Sequence, residues 1–114
     1  MPIERARLVQ GTLEMLILKT LDLQPLHGYG IGLRIKQISG GVFMVKPGSL
    51  FPALRRLERE GLIQPEWHAS ENNRRAKYYA LTKQGRQRLK HETQDWETQT
   101  AAIARILAAS TGEL

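Results

Sequence analysis

Between residues 46 and 61 apolar positions recur at steps of three and four. Leu50, Ala53, Leu54 and Leu57 share one helical face, Pro52, Arg55 and Arg59 share the opposite one, and Arg56 sits at its edge. The spacing predicts a helix with an anchored apolar side and a basic side turned outward. Gly61 follows Glu60 where such a helix needs a left-handed cap. The run at 62–67 alternates only in part, and Pro65 cannot donate to a sheet ladder, so an edge strand is expected there. A polar turn at 69–75 leads into a returning strand at 76–81. Tyr79 and Leu81 share a face of that strand, which predicts Tyr79 rather than Tyr78 as the buried tyrosine.

Upstream, LEMLILKTLDL is apolar on more than one side, and Met15, Leu16, Leu18 and Leu23 all need cover. Thr12 is available as its cap. Such a helix usually needs more cover than a small domain provides, which makes Leu16 a candidate contact to a partner subunit. Gln24-Pro25-Leu26 ends it. His27-Gly28-Tyr29-Gly30 opens the next helix, with His27 read as a turn residue, and Ser39-Gly40-Gly41 breaks it. The VFMV run at 42–45 is expected to be extended and able to pair beside the ribbon as a minor third strand. The organising helix has an awkward start. Pro47 suits a first helical position, but Pro52 would then oppose the carbonyl of Gly48. With Ser49 as cap, Pro52 falls in the first turn, so the regular helix is expected over 49–60.

Beyond Thr82, which offers a simple cap, the pattern changes. Leu89, Trp96 and Ile103 recur at seven, with Thr93, Thr100 and Leu107 at the intervening four, a thin heptad-like seam on a helix of about 25 residues. So long a helix cannot bury its length against a small core. Leu89, Trp96, Ile103 and Leu107 are therefore expected to meet a second copy, and Trp96, flanked by Thr93 and Thr100, is the candidate to admit a flat hydrophobic effector. The expected class is mainly α with a small β-ribbon: a winged helix-turn-helix plus a long C-terminal helix. Its expected parts are an arm at 1–10, the winged unit at 11–81, a dimerisation helix at 82–110 and a tail at 111–114.

Charge sharpens this reading. The net charge is +6, and residues 69–90 carry seven basic groups against one acidic, while 91–114 are mildly acidic. The positive charge thus sits on the proposed helix, on the ribbon and just beyond, as an electrostatic footprint for a polyanion would. Arg74, Arg75 and Lys77 on the ribbon are candidate phosphate contacts, with Lys46, Arg34 and Tyr29 beside them. Asn72 and Asn73 form the tip, where asparagine tolerates left-handed turns; Asn73 is also a candidate minor-groove contact. Ser49, Pro52, Arg55 and Arg56 are the candidates to face the groove, since arginine can bond two acceptors of guanine. Glu58 and Glu60 are expected as local partners for arginines. The three histidines lie far apart, cysteine is absent, and no run is apolar enough to span a membrane. With no apolar stretch in MPIERARLVQ, no secretory signal is expected, and the location expected is cytoplasmic. No nucleophile sits beside a base and no pair of catalytic carboxylates occurs, so neither an enzyme, a cofactor nor a metal is expected.

Four motifs in order, GTLEMLILKTL, PLHGYGI, GSLFPALRRLEREGLI and ENNRRAKYYALTKQG, resemble the PadR family of bacterial transcriptional regulators over nearly the whole chain. The resemblance implies an N-terminal winged helix and a short C-terminal branch whose last helix packs on the partner's first and last helices. It implies a sequence-specific reader of double-stranded DNA, a homodimeric repressor relieved by a small molecule. The family usually has tyrosine where this chain has Phe51, so any hydroxyl contact to the backbone made from that position is absent. The alternative is a winged-helix interaction module binding an acidic protein partner, which would show little affinity for any duplex even at low salt.

Overall fold

The computed structural model describes residues 11–113 apart from Ser70, Glu71 and Asn73. The expected arm at 1–10 and the Asn73 contact lie outside the described residues. In chain order come α1 (Thr12–Leu23), β1 (Leu26–His27), α2 (Gly28–Ile38), α3 (Pro47–Arg59), β2 (Ile63–Ala69), β3 (Arg75–Leu81), α4 (Lys83–Ala108) and a 3-10 turn at Thr111–Glu113. Three short helices and a small antiparallel sheet close one core, and a long helix leaves it. This is the winged helix-turn-helix expected from the hydrophobic pattern.

Thr12 does not cap α1. Gly11 takes that position with φ 89°, and no side-chain bond closes the end. Ile17, Leu18 and Leu21 are buried, and Leu13, Met15 and Leu16 pack half-buried against the same core. Thr20 is buried too, and its hydroxyl donates to the Leu16 carbonyl at 2.7 Å, so no polar group is stranded there. The helix is thus covered mostly by its own domain. The expected need for a partner narrows to its end, where Leu23 is exposed. At the start of α2 the His27 imidazole accepts from the Gly30 N–H at 3.1 Å, so this turn residue is the helix cap.

The start of α3 corrects the expectation. Lys46, not Ser49, is the N-cap, Pro47 is the first helical residue and Pro52 lies inside the helix. Pro52 leaves the Gly48 carbonyl without its i+4 donor, but Gly48 is exposed, so solvent can take that bond. The other end follows the pattern. Gly61 has φ 76°, its N–H reaches the Glu58 carbonyl, and the Leu62 N–H reaches Leu57, both at 3.0 Å. That double closure turns the chain straight into the ribbon, with Leu57 and Leu62 both buried behind it.

The sheet order is β1-β3-β2, all antiparallel. Pro65 lies on the edge strand β2, opposite Tyr79 on the central β3. The third strand is not the 42–45 run, which stays unpaired; it is Leu26–His27, which pairs with Tyr79 and Tyr78. Two residues suffice because β3 already has an ordered partner on its other side. Tyr79 is the buried tyrosine.

Thr82 joins ribbon and long helix. Its hydroxyl donates to the Gly61 carbonyl at 2.7 Å and accepts from the Gly85 N–H at 3.0 Å. A Cβ at position 85 would collide with the Leu62 carbonyl oxygen, so α4 leaves the domain at the closest approach a backbone allows. Its 26 residues extend about 39 Å. Leu89 is buried in the core, whereas Ile103, Ile106 and Leu107 are exposed.

Candidate nucleic-acid interface

The face of α3 opposite Leu50, Ala53, Leu54 and Leu57 carries Ser49, Arg55 and Arg59, all exposed, with Pro52 half-buried between them. Arg55 has no ion-pair partner among the described residues. Arg56 differs from its neighbour. Its Nε and Nη2 both donate to Glu14 Oε2 at 3.2 Å, fastening α3 to α1 across 42 positions of sequence. The structure therefore separates two arginines that the sequence placed together.

The ribbon shows a similar division. The Lys77 ammonium lies 3.4 Å from Glu58 Oε1 on α3 and 5.2 Å from the Tyr79 ring centre. Burial alone would lower its pKa, but the Tyr79 phenol and the Glu58 carboxylate outweigh that and raise it. Lys77 is thus held charged and tied to the end of α3, as well as being a candidate phosphate contact. Arg75 is exposed, with its guanidinium 4.7 Å over the ring of Trp67. The face of the indole supports the cation. Trp67 was not singled out in the sequence; its diagonal position across the ladder from Arg75 becomes readable only with the strand register in hand. Arg74 is exposed beside it.

Tyr29 projects from the start of α2, 72% exposed, and its ring meets Phe51 edge-on at 5.7 Å. Phe51 in turn lies against Gly28, where a Cβ would come 2.7 Å from the ring. The phenylalanine is therefore a packing residue that props Tyr29, and the tyrosine hydroxyl on this surface is that of Tyr29. Lys46 and Arg34 are exposed nearby in sequence on the caps and outer faces of α3 and α2. On the far side of the ribbon Tyr78 meets His27 edge-on and His68 at a tilt, with His68 Nε2 3.1 Å from Glu66. Among the described residues no group of histidines and carboxylates could hold a metal ion.

Along α4 the seam divides as well. Leu89 belongs to the core, while Trp96 is 39% exposed and borders a hollow of about 200 Å³ with Thr12, Met15, Glu92, Asp95 and Gln99. The start of α1 thus reaches as far as Trp96, which is less isolated than its heptad position implies. Thr93 and Thr100 do not turn their hydroxyls into that hollow; they donate to the Leu89 and Trp96 carbonyls at 2.7 and 2.9 Å. Glu92 Oε2 is buried with no hydrogen-bond partner among the described residues. Burial raises the Glu92 pKa first, and Glu14 and Asp95 add to it against the opposing Arg88 and His91. Leu16 lines a separate apolar hollow with Ile35, Ile38 and Phe43. No helix among the described residues is long and apolar enough to cross a membrane.

A family model described as the transcriptional regulator PadR-like family matches residues 17–91. A 37.1 kDa protein of transposon TN4556 from Streptomyces fradiae is 42% identical over 79 residues, which is 69% of this chain but only 21% of that relative's length. Among solved structures, a PadR family transcription regulator from Clostridium difficile is 29% identical with a TM-score of 0.73, covering 86% of this chain and all of that one. A PadR-like transcriptional regulator from Bacillus cereus is 27% identical with a TM-score of 0.77, covering 89% of this chain and 96% of the other.

Proposed function

Because the chain belongs to the PadR-like family of transcriptional regulators, we propose that it works as a homodimeric transcriptional repressor that binds double-stranded DNA at specific sequences. In this reading the winged unit, residues 11–81, lays α3 in the major groove. Ser49, Pro52 and Arg55 face the base edges, and Arg56 joins them only by leaving Glu14. Arg74, Arg75 and Lys77 hold the phosphates on one side, with Tyr29, Lys46 and Arg34 on the other. The observation that carries the reading is Arg55: exposed on the solvent face of α3, with no carboxylate engaging it among the described residues, while Arg56 one residue on is ion-paired.

Residues 82–110 pair two copies. Trp96, Ile103 and Leu107, with Ile106, form an apolar stripe outside the compact core, and a two-fold axis would bring two such stripes together. Leu16 and Leu89 would lie at the base of that contact. The hollows beside the two Trp96 rings would then face a common space, where a flat hydrophobic effector can stack. Its binding would shift the spacing of the two α3 helices and release the operator.

Repeated selection from a random duplex library tests the whole reading. The expected product is an inverted repeat with half-site centres about 34–36 Å apart or a multiple of it. Enrichment of no sequence, together with capture of acidic proteins by the same surface, would favour an interaction module and overturn the reading.

A further inference from the structure

Successive side chains of a strand point to opposite sides, so the register sorts the ribbon into two faces. Trp67 stands opposite Lys77 and Ala69 opposite Arg75, on the face that Ile63 and Tyr79 also occupy. At its base that face closes the core through the buried Ile63 and Tyr79. Farther out it carries Trp67. The indole is 55% exposed and belongs neither to the buried core nor to the apolar side chains packed on it. Core packing therefore does not account for it. What it does hold is Arg75, whose guanidinium carbon lies 4.7 Å from the ring centre.

The basic side chains of this surface are held in three different ways. Arg56 and Lys77 are ordered by carboxylates, those of Glu14 and Glu58. Each must weaken its ion pair before a phosphate can take the carboxylate's place. Arg55 has no ion-pair partner among the described residues, so its side chain must be ordered when it binds. Arg75 differs from both. It meets no carboxylate among the described residues, yet it lies over a neutral ring. The ring quadrupole attracts the cation without cancelling its charge. Arg75 is thus placed in advance and still fully charged. We propose that Trp67 is a positioning residue for DNA binding, whose ring fixes Arg75 to meet a backbone phosphate and makes no DNA contact of its own. This rests on the reading above, which gives Arg75 to the phosphates. Without the ring, ordering of Arg75 falls to the binding step. The loss is then bounded by the strength of an exposed cation–ring contact, about 2- to 5-fold in affinity for each subunit engaged.

A double-mutant cycle on a labelled duplex, with the full chain, tests the assignment. Trp67→Leu should weaken binding by about 2- to 5-fold per subunit, and the same change in an Arg75→Ala background should cost nothing further. Trp67→Phe keeps an aromatic face and should recover part of the loss. In the protein without DNA, nuclear relaxation at Arg75 Nε should show an ordered side chain in the parent and a mobile one in Trp67→Leu. A loss that persists without Arg75 would mean that the indole touches DNA or holds the ribbon itself, and would overturn the positioning role. Unchanged affinity of Trp67→Leu, or an Arg75 equally mobile in both proteins, would overturn it as well. A parent protein with an ordered Arg75 that binds no duplex would instead overturn the DNA reading on which the role rests, and the relaxation measurement tells the two failures apart.

Discussion

Replacing Arg55 and Arg56 one at a time by alanine tests the proposal that Arg55 reads DNA while Arg56 holds the reader in place. Arg55 is exposed and has no ion-pair partner among the described residues, so its removal should leave folding stability within about 0.5 kcal/mol of the parent. On the cognate site it should cost about 1–3 kcal/mol, or roughly 5- to 150-fold in affinity, and less on unrelated duplex. Arg56 gives two bonds of 3.2 Å to one Glu14 oxygen, with the two side chains 48% and 23% exposed. A half-exposed pair of this kind contributes about 0.2–1 kcal/mol to stability. At about 4–8 °C per kcal/mol for a domain near this size, Arg56→Ala should lower Tm by roughly 1–8 °C. Its cost on DNA should be small, because contact with a base first requires leaving Glu14. Denaturation and fluorescence anisotropy on the two single variants, Glu14→Ala and the Glu14/Arg56 double variant complete a cycle. The coupling in stability should be about 0.2–1 kcal/mol, and Glu14→Ala should retain or gain DNA affinity. Equal losses of cognate affinity for Arg55→Ala and Arg56→Ala, with no coupling to Glu14, would refute the division.

The raised pKa of Glu92 means the folded protein holds that proton more tightly than the unfolded chain, so stability falls as pH rises from the ordinary 4.5 through the raised value. Glu92→Gln removes the penalty: its Tm relative to the parent should climb above about pH 4.5 and then level off, and a difference constant with pH would count against the burial argument. Gly85→Ala forces a methyl against the Leu62 carbonyl and should cost about 1–3 kcal/mol in chemical denaturation; an unchanged midpoint would mean α4 shifts freely at its root. Trp96→Ala should weaken dimerisation in sedimentation and make DNA affinity depend more on protein concentration, whereas a parent protein that sediments as a monomer at micromolar concentration would remove the dimer.

What the sequence revealed and what it hid follow one physical division. The apolar side of α3 was legible because Leu50, Ala53, Leu54 and Leu57 obey the helical period and all four are buried. Gly61 and Tyr79 were legible for similar reasons, one set by the handedness of a cap and the other by the period of a strand. The start of α3 was misread because a buried proline penalty was charged to Pro52, whereas Gly48 is exposed and solvent can complete its bond. The third strand escaped because two residues, Leu26 and His27, carry no periodicity of their own and are ordered by Tyr78 and Tyr79. At the interface the basic residues were visible as charge, but their division was not. Arg56 is taken by Glu14, and Arg75 is supported by Trp67, through contacts that only the folded chain creates.

Anisotropy of a labelled duplex, repeated across a range of salt, measures directly whether α3 and the wing hold DNA. If each of two subunits neutralises about three phosphates, log affinity should fall against log salt with a slope of roughly −5. Arg74→Ala with Arg75→Ala should make that slope shallower by about two to four units for the dimer, on cognate and unrelated duplex alike. A parent protein that binds no duplex at low salt, or binds with an affinity indifferent to salt, would contradict the claim that this basic face is a DNA reader.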